Sequence, residues 1–111
     1  MVKIFNQGEI VELDFGRAVG SEPQSKRPAL VVSSTDFNVS TSMTLVCPIT
    51  SADSRFPLHL ALPEGLDTYG FVATEQVRAY DLAQRNARHI EQIDNESDFM
   101  KAIRELIRSF I

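Results

Sequence analysis

The sequence has few of the residues from which disulfide bonds and metal sites are built. It contains one cysteine, Cys47, and two histidines, His59 and His89, which lie far apart along the chain. One cysteine excludes an internal disulfide, and no Cys/His cluster has the spacing of metal ligands, so we expect neither a metal nor another cofactor. Cys47 lies in an alternating apolar segment without a basic neighbour, which predicts a buried core residue and not a nucleophile.

Long apolar runs are also missing. No apolar stretch reaches the roughly 18 residues that a membrane-spanning helix needs, and residues 1–7 contain no stretch suited to a signal peptide. We therefore expect a cytoplasmic protein without membrane contacts. The length of 111 residues suits one domain, residues 1–111, with a single hydrophobic core.

Positive charge is scarce, with 11 Lys and Arg against 15 Asp and Glu and a net charge of −4 at pH 7. An extended, non-specific nucleic-acid groove draws its affinity from Lys and Arg, so this balance argues against such a groove. The net charge is +1 in each of the segments 16–60 and 70–89, and −2 in each of 1–15, 61–69 and 90–111. This distribution is compatible with a short, local contact to nucleic acid.

The most informative motif is the segment GSEPQSKRP at residues 20–28, which leads directly into an apolar run. Pro28 has a fixed φ and no N–H, which suits the first residue of a strand, and the apolar run behind it predicts burial on both faces. Arg27 is therefore expected at the mouth of a rigid strand. A polar loop with Glu22 and Lys26 precedes it, which is how binding residues are usually presented on a scaffold.

A second polar signal follows another predicted strand. Alternating residues stop and hydroxyl groups begin at Thr50 and Ser51, at the end of the strand predicted over residues 42–50. Two strand ends therefore offer an arginine and a pair of hydroxyls.

Hydrophobic periodicity predicts a mainly β protein with one helix at its C-terminal end. Strands are expected at 11–15, 28–33, 42–50, 56–62, 69–73 and 75–80, while 84–90 can be a loop or a short strand. An apolar stripe predicts a helix from about 97 to 110, with Asp94 or Asn95 as its N-cap. Short strands with few helices between them indicate an antiparallel, partly closed barrel.

These motifs, in this order and spacing, resemble the MazF/PemK family of toxin endoribonucleases, which shares its fold with the gyrase poison CcdB. The resemblance rests on Gly8–Val11 with Asp14–Phe15, Gly20–Glu22, Arg27–Pro28, Pro48–Ser51 and Glu75–Arg78. It implies an SH3-like, partly open antiparallel β-barrel that is mainly β with a C-terminal α-helix. Ser25 and Gly16-Arg17 depart from the family pattern, and these departures concern the loop shape and therefore the sequence preference.

The resemblance also implies a function. It indicates the toxin of a type II toxin–antitoxin system, a metal-independent, sequence-specific endoribonuclease that cleaves single-stranded RNA to 2′,3′-cyclic phosphate and 5′-OH ends. It further implies a homodimer and a MazE-like antitoxin whose acidic tail lies where RNA would lie. The alternatives are a CcdB-like gyrase poison and a non-catalytic SH3-like binding module. Gyrase poisons of that kind depend on a C-terminal Trp, whereas this chain has none.

Arg27, Thr50 and Glu22 are the candidate catalytic residues. The planar guanidinium of Arg27 suits a phosphate and stays charged, the resemblance implies that it also takes part in proton transfer, and Thr50 would hydrogen-bond a non-bridging oxygen. The general base is either Glu22 or His59, because histidine titrates near neutral pH and the alternation of 56–62 predicts His59 on the more exposed face. The candidate RNA-binding residues are Ser21, Ser25, Lys26, Ser51, Arg55, His59, Glu75 and Gln76.

Overall fold

A mainly antiparallel β-sheet and a C-terminal helix make up the computed structural model, which describes residues 3–16, 25–53 and 55–111. The elements are β1 Glu9–Asp14, β2 Lys26–Val31, α1 Thr35–Thr41, β3 Thr44–Thr50, β4 His59–Ala61, β5 Phe71–Ala73, a 3-10 turn Thr74–Gln76, β6 Arg78–Tyr80, β7 Arg88–Gln92 and α2 Asp98–Ser109. The predicted mainly β class with a C-terminal helix is confirmed.

The sheet is organised around β3. Its strands follow the order β4-β5-β3-β2-β1-β7, and β6 pairs with the first half of β3 while β5 pairs with its last two residues. Every pairing is antiparallel. The two terminal strands of this order, β4 and β7, are not paired with each other in the described part of the chain, so the sheet forms a partly open barrel.

The central strands are buried on both faces. Ala29 and Val31 of β2 belong to one apolar cluster, which also contains Val11, Leu13 and Val46. Leu30 belongs to a second cluster, in which α2 covers the other face of the sheet. The prediction that the run after Pro28 is buried on both faces is therefore confirmed, because one face lines the barrel and the other supports the helix.

Helix α2 lies close to its predicted bounds, but its N-cap differs. Ser97 caps the helix, since its side chain accepts a hydrogen bond from the Met100 N–H. The prediction of Asp94 or Asn95 is wrong, because these residues form the preceding turn: Asp94 Oδ1 accepts from the Glu96 N–H, and Asn95 Oδ1 accepts from Arg104.

The strands predicted over 28–33, 42–50 and 69–73 are observed as Lys26–Val31, Thr44–Thr50 and Phe71–Ala73, and two other predicted strands are much shorter than expected. The strand predicted over 75–80 comprises Arg78–Tyr80 only, and that over 56–62 comprises His59–Ala61. The reason lies at Thr74, whose N–H and Oγ1 both donate to the Leu58 carbonyl, at 3.2 and 2.6 Å. The chain then turns, because the Val77 N–H donates back to the Thr74 carbonyl.

Helix α1 was not expected, since the sequence predicted one helix only, at about 97–110. This seven-residue helix starts behind the N-cap Ser34 and has no long apolar stripe. Asn38 is buried in it, donating through Nδ2 to the Phe5 carbonyl and accepting from Ser33 Oγ. The ambiguous segment 84–90 divides into a turn and the start of β7 at Arg88.

Candidate functional site

The start of β2 and the end of β3 meet in the antiparallel sheet. Ala29 is paired with Pro48. In an antiparallel pair, two residues back along one strand lie opposite two residues forward along the other. This register therefore leads to Arg27 and Thr50 on the same face. The two predicted strand ends therefore converge.

One open pocket of about 200 Å³ lies at this junction. Its lining comprises Arg27, Pro28, Ile49, Thr50, Ser51 and Tyr69. The predicted residues Arg27, Thr50 and Ser51 thus line a common space. Tyr69 enters it from the segment before β5, whose residue Phe71 pairs with Thr50.

The Arg27 side chain contains a hydrogen-bond donor that is not satisfied within the described part of the chain. The residue is half-buried, and its Nε atom is buried without a hydrogen-bond partner in the part of the chain that the structure describes. An unsatisfied buried donor costs on the order of 1–3 kcal/mol, more for a charged group. Such a group favours a bound acceptor, and phosphate oxygens match the guanidinium geometry.

The Thr50 hydroxyl retains its own proton for donation. Its Oγ1 accepts a hydrogen bond from the Ala52 N–H at 3.2 Å, which orients the side chain through an acceptor lone pair. A hydroxyl can accept and donate at once, so the Oγ1 proton stays available to an oxygen in the pocket.

His59 and Glu75 form a separate pair. The distance between His59 Nε2 and Glu75 Oε2 is 2.9 Å, and the Phe56 ring meets the His59 ring edge to face at 5.3 Å. The prediction of an exposed His59 is wrong, because these two neighbours cover a side chain that is only 14% exposed. Neither His59 nor Glu75 belongs to the lining of the Arg27 pocket.

Glu75 also affects Cys47. Burial, with the Glu75 charge as a smaller contribution, raises the pKa of the Cys47 thiol to about 12. The thiol is fully buried and stays protonated near neutral pH, so the prediction of a core cysteine is confirmed.

The remaining predicted residues are dispersed. Ser25, at φ 60°, closes the hairpin between β1 and β2 through backbone bonds with Phe15 and Gly16. Lys26 is exposed and lines a different pocket, which also includes Glu12, Asp14, Arg85, Asn86 and Arg88. Arg55 is exposed, and its N–H donates to Asp53 Oδ1 at 3.0 Å. Ser21 and Glu22 lie outside the described residues.

Two further carboxylates among the described residues contact a histidine and an arginine. His89 Nδ1 lies 2.7 Å from Glu9 Oε2, and Arg88 lies 2.8 Å from Glu12 Oε1. Within residues 3–16, 25–53 and 55–111, no three His, Cys, Asp or Glu side chains form a group that could hold a metal ion. No helix in those ranges has the length and apolar character needed to cross a membrane.

Comparison with known proteins assigns the chain. A family model described as "PemK-like, MazF-like toxin of type II toxin-antitoxin system" matches residues 6–111. The chain belongs to this family. Among the relatives of this PemK/MazF-family chain is the endoribonuclease toxin ChpB of Escherichia coli (strain K12), 42% identical over 92 residues that cover 78% of each chain. The endoribonuclease toxin MazF of the same strain is 30% identical over 82 residues, 74% of this chain and 73% of that protein.

Solved structures of the family have the same fold. MazF (Form-I) from Deinococcus radiodurans matches with a TM-score of 0.86 and 29% identity, covering 97% of this chain and 96% of its own. A MazE-MazF structure (Form-II) from the same organism matches with a TM-score of 0.80 and 28% identity, covering 97% and 95%. The MazF-like fold that the sequence resemblance implied is therefore confirmed.

Tyr69 is the residue of this PemK/MazF-family site that sequence reasoning missed. It lies at the start of a predicted strand, where an aromatic side chain ordinarily indicates core packing. The residue is nevertheless 75% exposed and lines the Arg27 pocket. The following residue, Gly70, is the sequence signal that could have revealed it, since an isolated glycine in a strand pattern suggests a close backbone approach.

Proposed function

We propose that this chain is the toxin of a type II toxin–antitoxin system and that it cleaves single-stranded RNA at preferred sequences, with Arg27 and Thr50 as catalytic residues. The observation that carries the proposal is the antiparallel register of β2 and β3, which leads to Arg27 and Thr50 on one face at a shared pocket. The names of the relatives, endoribonuclease toxins ChpB and MazF, support the activity.

The reaction is an in-line transfer within the RNA. The 2′-oxygen loses its proton to a general base and bonds to the adjacent phosphorus, while the bond from phosphorus to the 5′-oxygen breaks and that oxygen takes up a proton. Arg27 stabilises the charge that develops on the phosphate, and the Thr50 hydroxyl donates to a non-bridging oxygen. The products are a 2′,3′-cyclic phosphate and a 5′-OH end. The guanidinium supplies positive charge at the phosphate, and the reaction proceeds without a metal.

Glu22 is the general base in this proposal. It precedes Arg27 by five residues in the sequence. The other candidate, His59, has its Nε2 hydrogen-bonded to Glu75 and lies outside the pocket lining. The RNA contacts of His59, Glu75 and Gln76 stay predictions, as do those of Ser21, Ser25, Lys26, Ser51 and Arg55.

The proposed partners are those that the family resemblance implies. The protein is a cytoplasmic homodimer, inhibited by a MazE-like antitoxin whose acidic tail competes with RNA. The MazE-MazF structures from Deinococcus radiodurans, which contain a relative of this fold, support such a partner. Carboxylates of a tail can bind the same guanidinium that binds phosphate, since Arg27 matches both groups.

The test is direct mapping of cut RNA ends. Purified protein is incubated with a long RNA, with and without EDTA, and the ends are identified by their chemistry. We expect a few preferred sites, cyclic phosphate and 5′-OH ends, and equal rates with and without chelator. Intact RNA, or cleavage that EDTA abolishes, would contradict the proposal. A supercoiling assay with DNA gyrase tests the alternative of a gyrase poison.

A further inference from the structure

We infer that Tyr69 is a stacking platform for the nucleobase beside the phosphate bound by Arg27, an inference that rests on the proposed RNA cleavage. Tyr69 is 75% exposed and lines the pocket that contains Arg27, Thr50 and Ser51. Single-stranded nucleic acids are bound by a positive group on the backbone combined with aromatic rings under the bases. The pocket contains both components.

The exposure of Tyr69 leaves a ring face available. Tyr80, the other tyrosine of the chain, is buried at 7% exposure and lies edge to face with Phe15. Among the described residues, Tyr69 has one ring contact, an edge-to-face approach to Phe71 at a centroid distance of 6.1 Å. That contact supports the ring from one side, and the rest is open to a flat ligand.

The segment around Tyr69 is fixed on its N-terminal side. The N–H and Oγ1 of Thr68 donate to Glu91 Oε2 at 2.8 and 2.6 Å, and the Asp67 N–H donates to Glu91 Oε1 at 3.1 Å. Glu91 belongs to β7, at the opposite end of the sheet order from β4. Three hydrogen bonds therefore connect the residues before Tyr69 to a regular strand.

Gly70 fixes the C-terminal side. A Cβ atom at Gly70 would lie 2.6 Å from the Thr50 carbonyl oxygen and 2.8 Å from Ile49 Cγ2, and its φ is +145°. The Leu62 N–H also donates to the Gly70 carbonyl at 2.9 Å. The backbone next to Tyr69 therefore passes directly over the end of β3, which holds the ring beside Thr50. A platform held in this way loses little conformational entropy when a base stacks on it.

The test compares binding of a short RNA that cannot be cut, with a 2′-deoxy nucleotide at the mapped cleavage site. Tyr69→Leu keeps an apolar side chain without a ring, whereas Tyr69→Phe keeps the ring. We expect a roughly tenfold higher Kd for Tyr69→Leu, in the range found for loss of one stacked base, and wild-type binding for Tyr69→Phe. Phe37→Leu, at an exposed aromatic residue of α1 outside the pocket lining, is the matched control and should bind as wild type.

An abasic nucleotide separates stacking from a structural role. Removing the base next to the cleavage site should weaken wild-type binding about tenfold and leave the Tyr69→Leu variant almost unaffected, because the two changes remove the same contact. Equal Kd values for wild type and Tyr69→Leu would overturn the inference. So would binding losses from the abasic nucleotide and from Tyr69→Leu that are fully additive in free energy. So would a changed oligomeric mass in Tyr69→Leu, which would assign the ring to a protein interface.

The proposed function and the stacking inference fail in different ways. If the wild-type protein leaves RNA intact, the proposed function fails. If the wild-type protein cleaves and Tyr69→Leu has the same KM, kcat and site preference, only the inference fails. Tyr69→Trp allows base stacking to be measured by fluorescence, since the sequence contains no tryptophan of its own. Its emission should be quenched by the uncut RNA and not by the abasic RNA, and equal quenching by both would contradict stacking.

Discussion

Polar side chains lie at strand ends both in the pocket between β2 and β3 and in the His59–Glu75 pair. The two places differ in which buried atom lacks a hydrogen-bond partner. In the pair, His59 Nε2 and Glu75 Oε2 hydrogen-bond at 2.9 Å beneath the Phe56 ring, while the buried Glu75 Oε1 has no partner among the described residues. In the pocket, the buried Arg27 Nε has no partner among the described residues. The pair leaves a buried carboxylate acceptor without a partner, whereas the pocket leaves a buried cationic donor without one, which favours a bound anion. Residue type alone does not distinguish the two places. The kind of atom that lacks a partner, an acceptor or a cationic donor, does.

The largest expected effect is at Arg27. Arg27→Ala removes the charged phosphate contact and should lower the cleavage rate roughly 30- to 1000-fold, equivalent to about 2–4 kcal/mol of transition-state stabilisation. Single-turnover cleavage of a defined RNA measures it. Arg108→Ala, at an exposed arginine in the last turn of α2, is the control and should keep the wild-type rate. A wild-type rate in Arg27→Ala, or a collapse of its Tm, would make Arg27 a structural residue.

Thr50 should have the next largest effect. Thr50→Val keeps the shape of the side chain but removes the hydroxyl donor, and should slow cleavage about 100-fold. Thr50→Ser restores the hydroxyl and should recover most of the rate. The two variants are compared by kcat at saturating RNA. If valine and serine reduce kcat equally, the hydroxyl is not the active group.

Breaking the His59–Glu75 pair should affect stability and not chemistry. His59→Gln should cost about 1–2 kcal/mol of folding free energy, because it removes the imidazole contacts with the Glu75 carboxylate and the Phe56 ring, and should lower Tm by about 4–16 °C. The cleavage rate should remain within about threefold of wild type, whereas Glu22→Gln should lose about 100-fold or more. Thermal unfolding and kcat are measured on both variants. A reversed result, with slow His59→Gln and fast Glu22→Gln, would make His59 the base.

The smallest effect concerns Cys47. Burial raises the pKa of its thiol to about 12, so the native protein at pH 8 should react with iodoacetamide only as fast as it opens. The raised pKa of the folded state stabilises the fold below the ordinary thiol pKa of 9.0, and this contribution is lost as pH rises towards about 12. Glu75→Gln removes the smaller of the two causes, so alkylation should stay slow. Mass spectrometry over time measures it, and rapid modification in folded Glu75→Gln protein would show that the Glu75 charge outweighs burial.

The converging strand ends could be predicted because their signals are local. Pro28 predicts a strand start, which the structure places two residues earlier, at Lys26, and the change from alternating residues to hydroxyls at Thr50 marks the strand end. Helix α1 was missed because seven residues carry no long apolar stripe, and only its Ser34 cap signals its start. Sequence signals were therefore strongest where a single residue, such as Pro28, restricts the backbone.

The missed parts of the site depend on contacts between distant residues. The 3-10 turn at Thr74 follows from hydrogen bonds to Leu58, sixteen residues earlier. His59 is covered because that turn brings Glu75 to it. Tyr69 is exposed beside Thr50 because Gly70 crosses the end of β3. No window of sequence contains these pairs, so periodicity could not predict them.

The approach of Gly70 to Thr50 has an evolutionary consequence. This approach brings the backbone between β4 and β5 against the backbone at the end of β3. Tyr69, the residue before Gly70, is exposed. Selection can therefore exchange the side chain at position 69 without altering the backbone that holds Thr50. Under the roles proposed for Tyr69 and Thr50, such an arrangement would let the preferred RNA sequence change while the catalytic residues stay the same.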